Sequence, residues 1–116
     1  MMSDQGLTRR DRLRRRPEFL VVQKKGVRTK GRYLTLLTLA NGREHNRLGI
    51  IASRKLGGAT RRNRAKRIMR ELFRRLKGEP GFDIVALLRP GFSETSFKAL
   101  EADYQGTLHR HAKTSR

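Results

Sequence analysis

The sequence predicts a single α+β domain, an α/β sandwich in which three helices pack on a mixed four-stranded sheet. A chain of 116 residues has the usual size of one domain. Residues 61–77 carry apolar side chains at the spacing of an amphipathic helix. Strand-like runs precede and follow this helix, and that order favours one layered core around a single sheet.

The N-terminal segment is strongly basic. Six arginines lie between residues 9 and 16, with little to bury, so residues 1–16 are expected to form a flexible basic arm. Pro17 suits the first position of a helix, and the turns from Glu18 to Gln23 should end at Gly26. The folded domain is predicted to cover residues 17–112, and residues 113–116 are predicted to form a polar tail. The sequence becomes polar from about His111 onwards.

Two or three strands are predicted after the first helix, and β-prone runs mark two of them. They extend from Tyr33 to Leu39 and from Leu48 to Ser53, and the turn-like Asn41-Gly42 lies between them. We expect this pair to form antiparallel strands.

The strongest periodic signal lies in residues 61–77. Their apolar side chains recur every three or four residues, at Ala65, Ile68, Met69, Leu72, Phe73 and Leu76. This spacing predicts an amphipathic helix that ends before Gly78.

The last two elements are a strand and a helix. The apolar run from Phe82 to Leu88 is typical of a central strand covered on both faces, and Pro90 and Gly91 end it. One apolar face of a C-terminal helix is formed by Phe97, Leu100, Tyr104 and Leu108.

Charge restricts the function. The chain has 29 lysines and arginines against 10 acidic residues, a formal net charge of +19. Because such a charge opposes compaction by self-repulsion, it indicates a polyanionic partner. The longest apolar run, Ile84 to Leu88, is far shorter than the ~20 residues of a membrane span. With no cysteine and no signal-peptide pattern, we expect a cytosolic protein without disulfides or a cysteine-based metal site.

The basic residues concentrate between Ser53 and Lys77, where Glu71 is the only acid. Solvated helix faces normally mix charges of both signs, whereas here like charges repel. Cations such as Arg61 and Arg62 near the helix start also oppose the macrodipole, which costs about 0.3–1 kcal/mol each. Free N–H groups and guanidinium groups together suit phosphate, so we predict nucleic-acid contact by this helix.

RNA is favoured over DNA as the partner. The basic helix has no preceding helix-turn-helix partner, no zipper heptads and no zinc module. A sheet face beside a basic helix is better suited to RNA. No DNA or membrane partner is expected.

No protein-based catalytic site is predicted. Metal-dependent nucleases need paired carboxylates, and general base catalysis needs a group such as histidine. His45 falls in a loop, and His109 and His111 are two residues apart, so a helix would point them in different directions. We therefore predict no catalytic residue and no metal site in the protein.

The segment from Ser53 to Glu71, with the sequence SRKLGGATRRNRAKRIMRE, resembles the signature of bacterial ribonuclease P proteins. The Arg-Asn-Arg triplet of that signature falls at residues 62–64, and its later basic residues at 66, 67 and 70. Similarity extends to Arg12-Leu13 and Glu18-Phe19 upstream and to residues 82–85 downstream, so it covers about residues 9–110.

The resemblance implies a left-handed βαβ crossover, which sequence reasoning alone would predict as right-handed. It implies that the basic helix docks on the catalytic RNA subunit of ribonuclease P. It also implies that a cleft between the first helix and the sheet binds the single-stranded 5′ leader of precursor tRNA. Mg²⁺ is then a cofactor of the holoenzyme, bound mainly through RNA.

These expectations give two sets of site residues. The RNA-binding set is Arg54, Lys55, Arg61, Arg62, Asn63, Arg64, Lys66, Arg67, Arg70 and Arg74. The leader cleft is assigned Phe19, Gln23, Tyr33 and Leu37. Only Phe19 matches one of the three aromatic residues that the family places there, because Gln23 and Leu37 replace the other two. Tyr33, four residues before Leu37 along a strand, is expected to share its face and compensate in part. For Phe19, packing in the core is the alternative to base stacking.

Two functions fit the sequence. The first is the accessory subunit of a ribonucleoprotein endonuclease that removes the 5′ leader. The second is a structural RNA-binding protein of the ribosomal type, which explains the charge and size equally well. The signature from Arg62 to Arg70 favours the first.

Overall fold

The computed structural model describes residues 9–76 and 78–114, with side chains to residue 111. The helices are α1 (Arg16–Lys25), α2 (Ala59–Arg75) and α3 (Phe97–Thr114), and three short 3-10 helices cover Arg9–Asp11, Arg54–Leu56 and Phe92–Glu94. The strands are β1 (Val27–Lys30), β2 (Leu34–Ala40), β3 (Arg47–Ile51) and β4 (Phe82–Leu88). The predicted α+β fold, three helices with a mixed four-stranded sheet, is confirmed.

The sheet has the order β1-β2-β4-β3. β2 is antiparallel to β1 and to β4, and β3 is parallel to β4. The prediction that the β2 and β3 segments pair with each other is therefore wrong, because β4 lies between them. β4 is the most apolar strand, and a central position buries it on both faces. A β3-α2-β4 crossover connects the parallel pair, and its left-handedness remains a prediction.

Helices cover both faces of the sheet. On one face α2 and α3 enclose the larger apolar cluster, in which Leu36, Met69, Leu72 and Leu100 are fully buried. On the other face α1 covers a smaller cluster around Val22. α1 begins with Pro17 in its first turn and ends at Gly26, whose N–H donates to the Val22 carbonyl oxygen at 2.8 Å, as the sequence predicts.

The described part of the basic arm predicted over residues 1–16 is attached to the domain. Residues 1–8 lie outside the described residues, but residues 9–15 contact the sheet. Arg12 bridges Leu48 in parallel, and the Leu13 N–H donates to the Leu48 carbonyl oxygen at 3.0 Å. The Leu13 side chain is buried beside Val22. One apolar residue and the unpaired edge of β3 thus attach the segment to the domain.

The C-terminal helix also extends further than predicted. α3 continues to Thr114, and His111, expected in a frayed polar end, is buried. Its Nδ1 lies 2.9 Å from the Thr38 hydroxyl, and its ring meets the edge of Phe82 with the centroids 5.1 Å apart. Burial lowers the pKa of His111, against the opposing charge of Glu79. In the described part of the chain, no helix is both long and apolar enough to cross a membrane.

Candidate nucleic-acid interface

The amphipathic helix α2 presents the predicted basic face. Ala65, Met69, Leu72 and Phe73 are buried against the sheet and α3. None of the ten predicted RNA-binding residues is buried. The exposed ones are Arg54, Lys55, Arg61, Asn63, Arg64 and Arg67, and the half-buried ones are Arg62, Lys66, Arg70 and Arg74. One helix and the short turn before it therefore present the whole predicted set to solvent.

Among the described residues, acidic side chains form ion pairs only at the two ends of this face. At the C-terminal end Glu71 contacts Arg74 and lies 3.8 Å from Arg75. At the N-terminal end Arg61 lies 3.1 Å from Glu94.

Five cations between these ends make no ion pair with any described residue, namely Arg62, Arg64, Lys66, Arg67 and Arg70. They coincide with the family signature. Cations that lack internal counter-ions repel each other, which opposes folding and favours the binding of an external polyanion.

The start of α2 has free backbone donors. Gly58 occupies the N-cap position and has no side chain to accept from the first-turn N–H groups. Gly57 has a φ of 128°, a conformation that favours glycine. The positive end of the helix dipole therefore adjoins Arg61 and Arg64, and Glu94 offsets part of this charge.

The N-terminal segment adds cations that sequence reasoning assigned to a free arm. Arg12, attached to the edge of β3, lies near Arg70, and so does Arg67 on α2. Burial first, and repulsion from these two guanidinium groups next, lower the pKa of Arg70. Three arginines from two distant parts of the sequence thus converge at one end of the sheet.

A groove of about 560 Å³ lies at this convergence. Its apolar lining includes Phe19, and its basic lining comes from Arg9, Arg12, Arg14, Lys66 and Arg70. The groove therefore joins the basic face of α2 to the α1 side of the sheet.

Phe19 forms part of this groove by lying against a glycine. A Cβ atom built on Gly49 would lie 2.6 Å from Cε2 of Phe19 and 2.7 Å from its Cζ. The ring is half-buried, so it packs on the sheet and also lines the groove. The packing interpretation of Phe19 is therefore confirmed, and base stacking by the same ring stays a prediction. Glycine inside a strand often marks such a close approach, so Gly49 was a signal that sequence reasoning missed.

The other three predicted cleft residues differ in their accessibility. Gln23 is exposed on α1. Leu37 is 4% exposed beneath α1, so it contributes to the core and offers no surface for stacking. Tyr33 is wrongly assigned. It precedes β2 and packs against the larger cluster on the opposite face, where Asp103 accepts its backbone N–H at 2.8 Å.

An ion-pair network fixes the orientation of α1. Arg47 donates from Nε and Nη2 to the two carboxylate oxygens of Asp83, at 2.8 and 2.7 Å, and from Nη1 to Glu18 at 3.2 Å. Glu18 also accepts the backbone N–H groups of Arg14 and Arg15 at 2.9 and 3.0 Å, which caps α1. Phe19 is the next residue, so this network helps to position its ring.

The network shifts the pKa of its carboxyl groups. Backbone hydrogen bonds from Arg15 and Arg14, and then the charge of Arg47, lower the pKa of Glu18. Burial alone would raise the pKa of Asp83. The hydrogen bonds from Arg47 and Asn41, together with the charge of Arg47, outweigh burial and lower this pKa. The bond to Asp83 raises the pKa of Arg47.

Comparison with known proteins agrees with these features. The sequence model of the family described as Ribonuclease P matches residues 7–112. The ribonuclease P protein component of Thermotoga maritima is 48% identical over 92 residues, which are 78% of this chain and 79% of that protein. That of Syntrophomonas wolfei is 37% identical over 100 residues, which are 84% of each chain.

Solved structures show the same similarity. The ribonuclease P protein of Thermotoga maritima superposes with a TM-score of 0.79 at 41% identity, covering 85% of this chain and 96% of that chain. That of Staphylococcus aureus gives a TM-score of 0.79 at 28% identity, covering 87% and 94%. The family match spans most of the residues described above, including the α2 signature and the groove beside Phe19. The chain belongs to the family of bacterial ribonuclease P proteins.

Proposed function

We propose that this protein is the protein subunit of ribonuclease P, and that it binds the catalytic RNA subunit through α2 and the 5′ leader of precursor tRNA on the α1 side of the sheet. The holoenzyme would remove the leader by endonucleolytic cleavage to give the mature 5′ end of tRNA. The observation that carries the proposal is the set of five cations from Arg62 to Arg70 that form no ion pair with a described residue, in a chain that belongs to the ribonuclease P family.

The two binding surfaces differ in their chemistry. The outer face of α2 offers guanidinium groups and little apolar area, which suits the phosphates of a folded RNA. The groove beside it combines Phe19 with cations, which suits single-stranded RNA, because aromatic stacking contributes about 1–3 kcal/mol per base. Family membership favours this function over the ribosomal-type alternative.

We propose further that the chemical step belongs to the RNA subunit and that Mg²⁺ is bound mainly through RNA, as the family resemblance implies. The protein would lower the Mg²⁺ requirement and broaden the range of substrates. Within residues 9–76 and 78–114, no group of three or more His, Cys, Asp or Glu side chains is placed to hold a metal ion. In this proposal the protein residues bind and orient RNA.

The test combines the protein with the ribonuclease P RNA of the same organism and measures precursor tRNA cleavage at limiting Mg²⁺. We expect the protein to stimulate cleavage strongly. Protein without RNA is the control for contaminating nucleases, and it should cleave nothing. A failure to stimulate cleavage by an RNA subunit that is active alone at high Mg²⁺ would contradict the proposed function.

A further inference from the structure

Two rows of residues cross the α1 side of the sheet from edge to edge. Pairing aligns Arg28 with Leu37, Leu37 with Val85, and Val85 with Gly49. Because paired residues share a face, Arg28 lies on the same face as Gly49, against which Phe19 packs. The row thus joins the Phe19 groove to the opposite edge of the sheet.

The second row runs parallel to the first. It consists of Lys30, Thr35, Leu87 and Ile51, on the same face and two residues further along each strand. Leu87 and Ile51 pack against the margin of the α1 cluster and remain half-buried, Thr35 is buried, and Lys30 is exposed. A strip of sheet therefore borders the α1 cluster and leads from the β3 edge to β1.

Cations lie at both ends of this strip. At the β3 end are the groove cations, including Lys66 and Arg70. At the β1 end are Arg28 and Lys30, both exposed and without an ion pair to any described residue. Three strand spacings of about 4.8 Å separate the two edges, roughly 14 Å in all. A single-stranded polyanion lying along the strip would meet positive charge at each end.

Simpler roles explain some of the neighbouring cations but not this pair. Lys24 and Lys25 lie in the last turn of α1, where they stabilise the negative end of its dipole. Basic residues on an edge strand can also prevent pairing with another chain. Arg28 and Lys30, however, occupy the positions of β1 that face the α1 side of the sheet, while the intervening Thr29 is buried on the other face. Residues 24–32 contain five cations and no acid. Local charge balance therefore does not account for these cations, and a functional role does.

We propose that Arg28 and Lys30 bind phosphates of leader nucleotides that lie beyond Phe19, so that the 5′ leader crosses the sheet and leaves it at the β1 edge. This inference rests on the proposed function and adds a second, distal contact to it. Phe19 and the groove bind the leader near the tRNA, and the β1 pair acts only on leaders long enough to reach it.

The experiment uses the holoenzyme reconstituted with the RNA subunit and the double variant Arg28→Ala/Lys30→Ala. Its affinity is measured for two precursors, one with a leader of about 2 nucleotides and one of about 12, the second within the length that comparable single-strand sites cover. The matched control removes two exposed cations elsewhere, Arg43→Ala/Lys98→Ala, with the same change in net charge.

We expect the variant to lose about tenfold affinity for the long leader and to match the wild type on the short one. Its salt dependence on the long leader should fall by about 1.4, since each single-strand phosphate contact contributes about 0.7 to the slope. The control should retain both affinities. Equal loss on both leaders, weaker binding of the RNA subunit itself, or unchanged affinity for the long leader would each overturn the distal contact. If the wild type showed no preference for long leaders, leader binding as a whole would fail instead.

Discussion

The ring of Phe19 occupies the space in which a side chain on Gly49 would lie. A Cβ atom at residue 49 would come within 2.7 Å of two ring carbons, so even alanine must displace the ring or bend β3. Because the ring also lines the groove, the shape of the groove depends on glycine at residue 49.

Gly49→Ala is therefore expected to destabilise the fold by about 1–3 kcal/mol, the usual effect of overpacking. It should also weaken binding of leader-bearing precursor while binding of mature tRNA is retained. Thermal unfolding and the two affinities are the measurements. Gly106→Ala on α3 is the control, because its nearest neighbour lies 3.8 Å away and helical alanine is favourable. An alanine at residue 49 without effect on stability would show that the contact is loose.

Phe19→Leu separates stacking from packing. Leucine retains apolar volume against Gly49 but cannot stack on a base as a phenyl ring does. We expect a loss of about 5- to 150-fold, roughly 1–3 kcal/mol, in affinity for precursor with a leader. Mature tRNA should bind as it does to the wild type. Equal loss for both RNAs would mean that Phe19 acts through the core alone.

Charge reversal at Arg67 should impair assembly with the RNA subunit far more than folding. Arg67 is exposed and has no ion pair to a described residue, so its replacement by glutamate removes no stabilising contact and relieves repulsion of Arg70. Filter binding should show a large loss of affinity for the RNA subunit, while the melting temperature stays within a few degrees. Lys98→Glu on α3 provides the control for net charge. A collapse of the melting temperature in Arg67→Glu would assign the residue to the fold.

The salt dependence of RNA-subunit binding tests the whole α2 face. If six or more phosphates are neutralised, log affinity should fall with log salt at a slope of roughly −4 or steeper. Arg62→Ala and Arg64→Ala should each reduce this slope by about one. A slope near −1 in the wild type would show that the basic face does not contact phosphate.

Acid should unfold the protein partly through Asp83 and Glu18. Both have lowered pKa values in the folded state, so their contribution to stability is present above the unfolded values near 4 and is lost as pH falls through the folded ones. Asp83→Asn removes the charge that pairs with Arg47, which should cost about 3 kcal/mol at pH 7 and flatten the stability profile below pH 4. Chemical denaturation across pH 2–7 provides the comparison, and an unchanged acid profile would contradict the network.

His111 gives a second, milder pH dependence. Burial lowers its pKa in the folded state. The contribution of His111 to stability is therefore complete above the pKa of the unfolded chain, near 6.5, and decreases as pH falls towards the pKa of the folded protein. His111→Gln should lose stability at pH 7 and show less change between pH 7 and 5. The exposed His109→Gln is the control and should follow the wild type.

Local patterns in the sequence predict the elements, while long-range competition decides how they pair. The periodicity around Met69 and the apolar run of β4 each report their own burial, so both were predicted correctly. The position of β4 between β2 and β3 depends on which strand gains most from two neighbours, and that comparison involves partners such as Leu37 and Val85, or Gly49 and Val85, which are distant in the sequence. The short β1 has mixed burial and no marked alternation, so it gave little signal.

The interface divides in the same way. The α2 cations were predictable, because their density and missing counter-ions are visible in the sequence. Tyr33 was misplaced, since it lies just before β2 and the alternation of β2 does not extend to it. Arg12 joined the site through a single bridge to β3, and nothing local to residues 9–16 indicates that contact.

The strand order has a consequence for how the chain folds during synthesis. β1 and β2 can pair as a hairpin as soon as both are synthesised. The sheet partner of β3 is β4, which begins at Phe82, so β3 stays unpaired until β4 has been synthesised. Until then α2 has no completed sheet on which to bury Met69 and Leu72, and its cations repel one another. Helix α2 is therefore not an autonomous unit, and a fragment ending before β4 should remain unfolded. A polyanion present during folding, such as the proposed RNA subunit, would neutralise α2 and so promote the closure of the sheet.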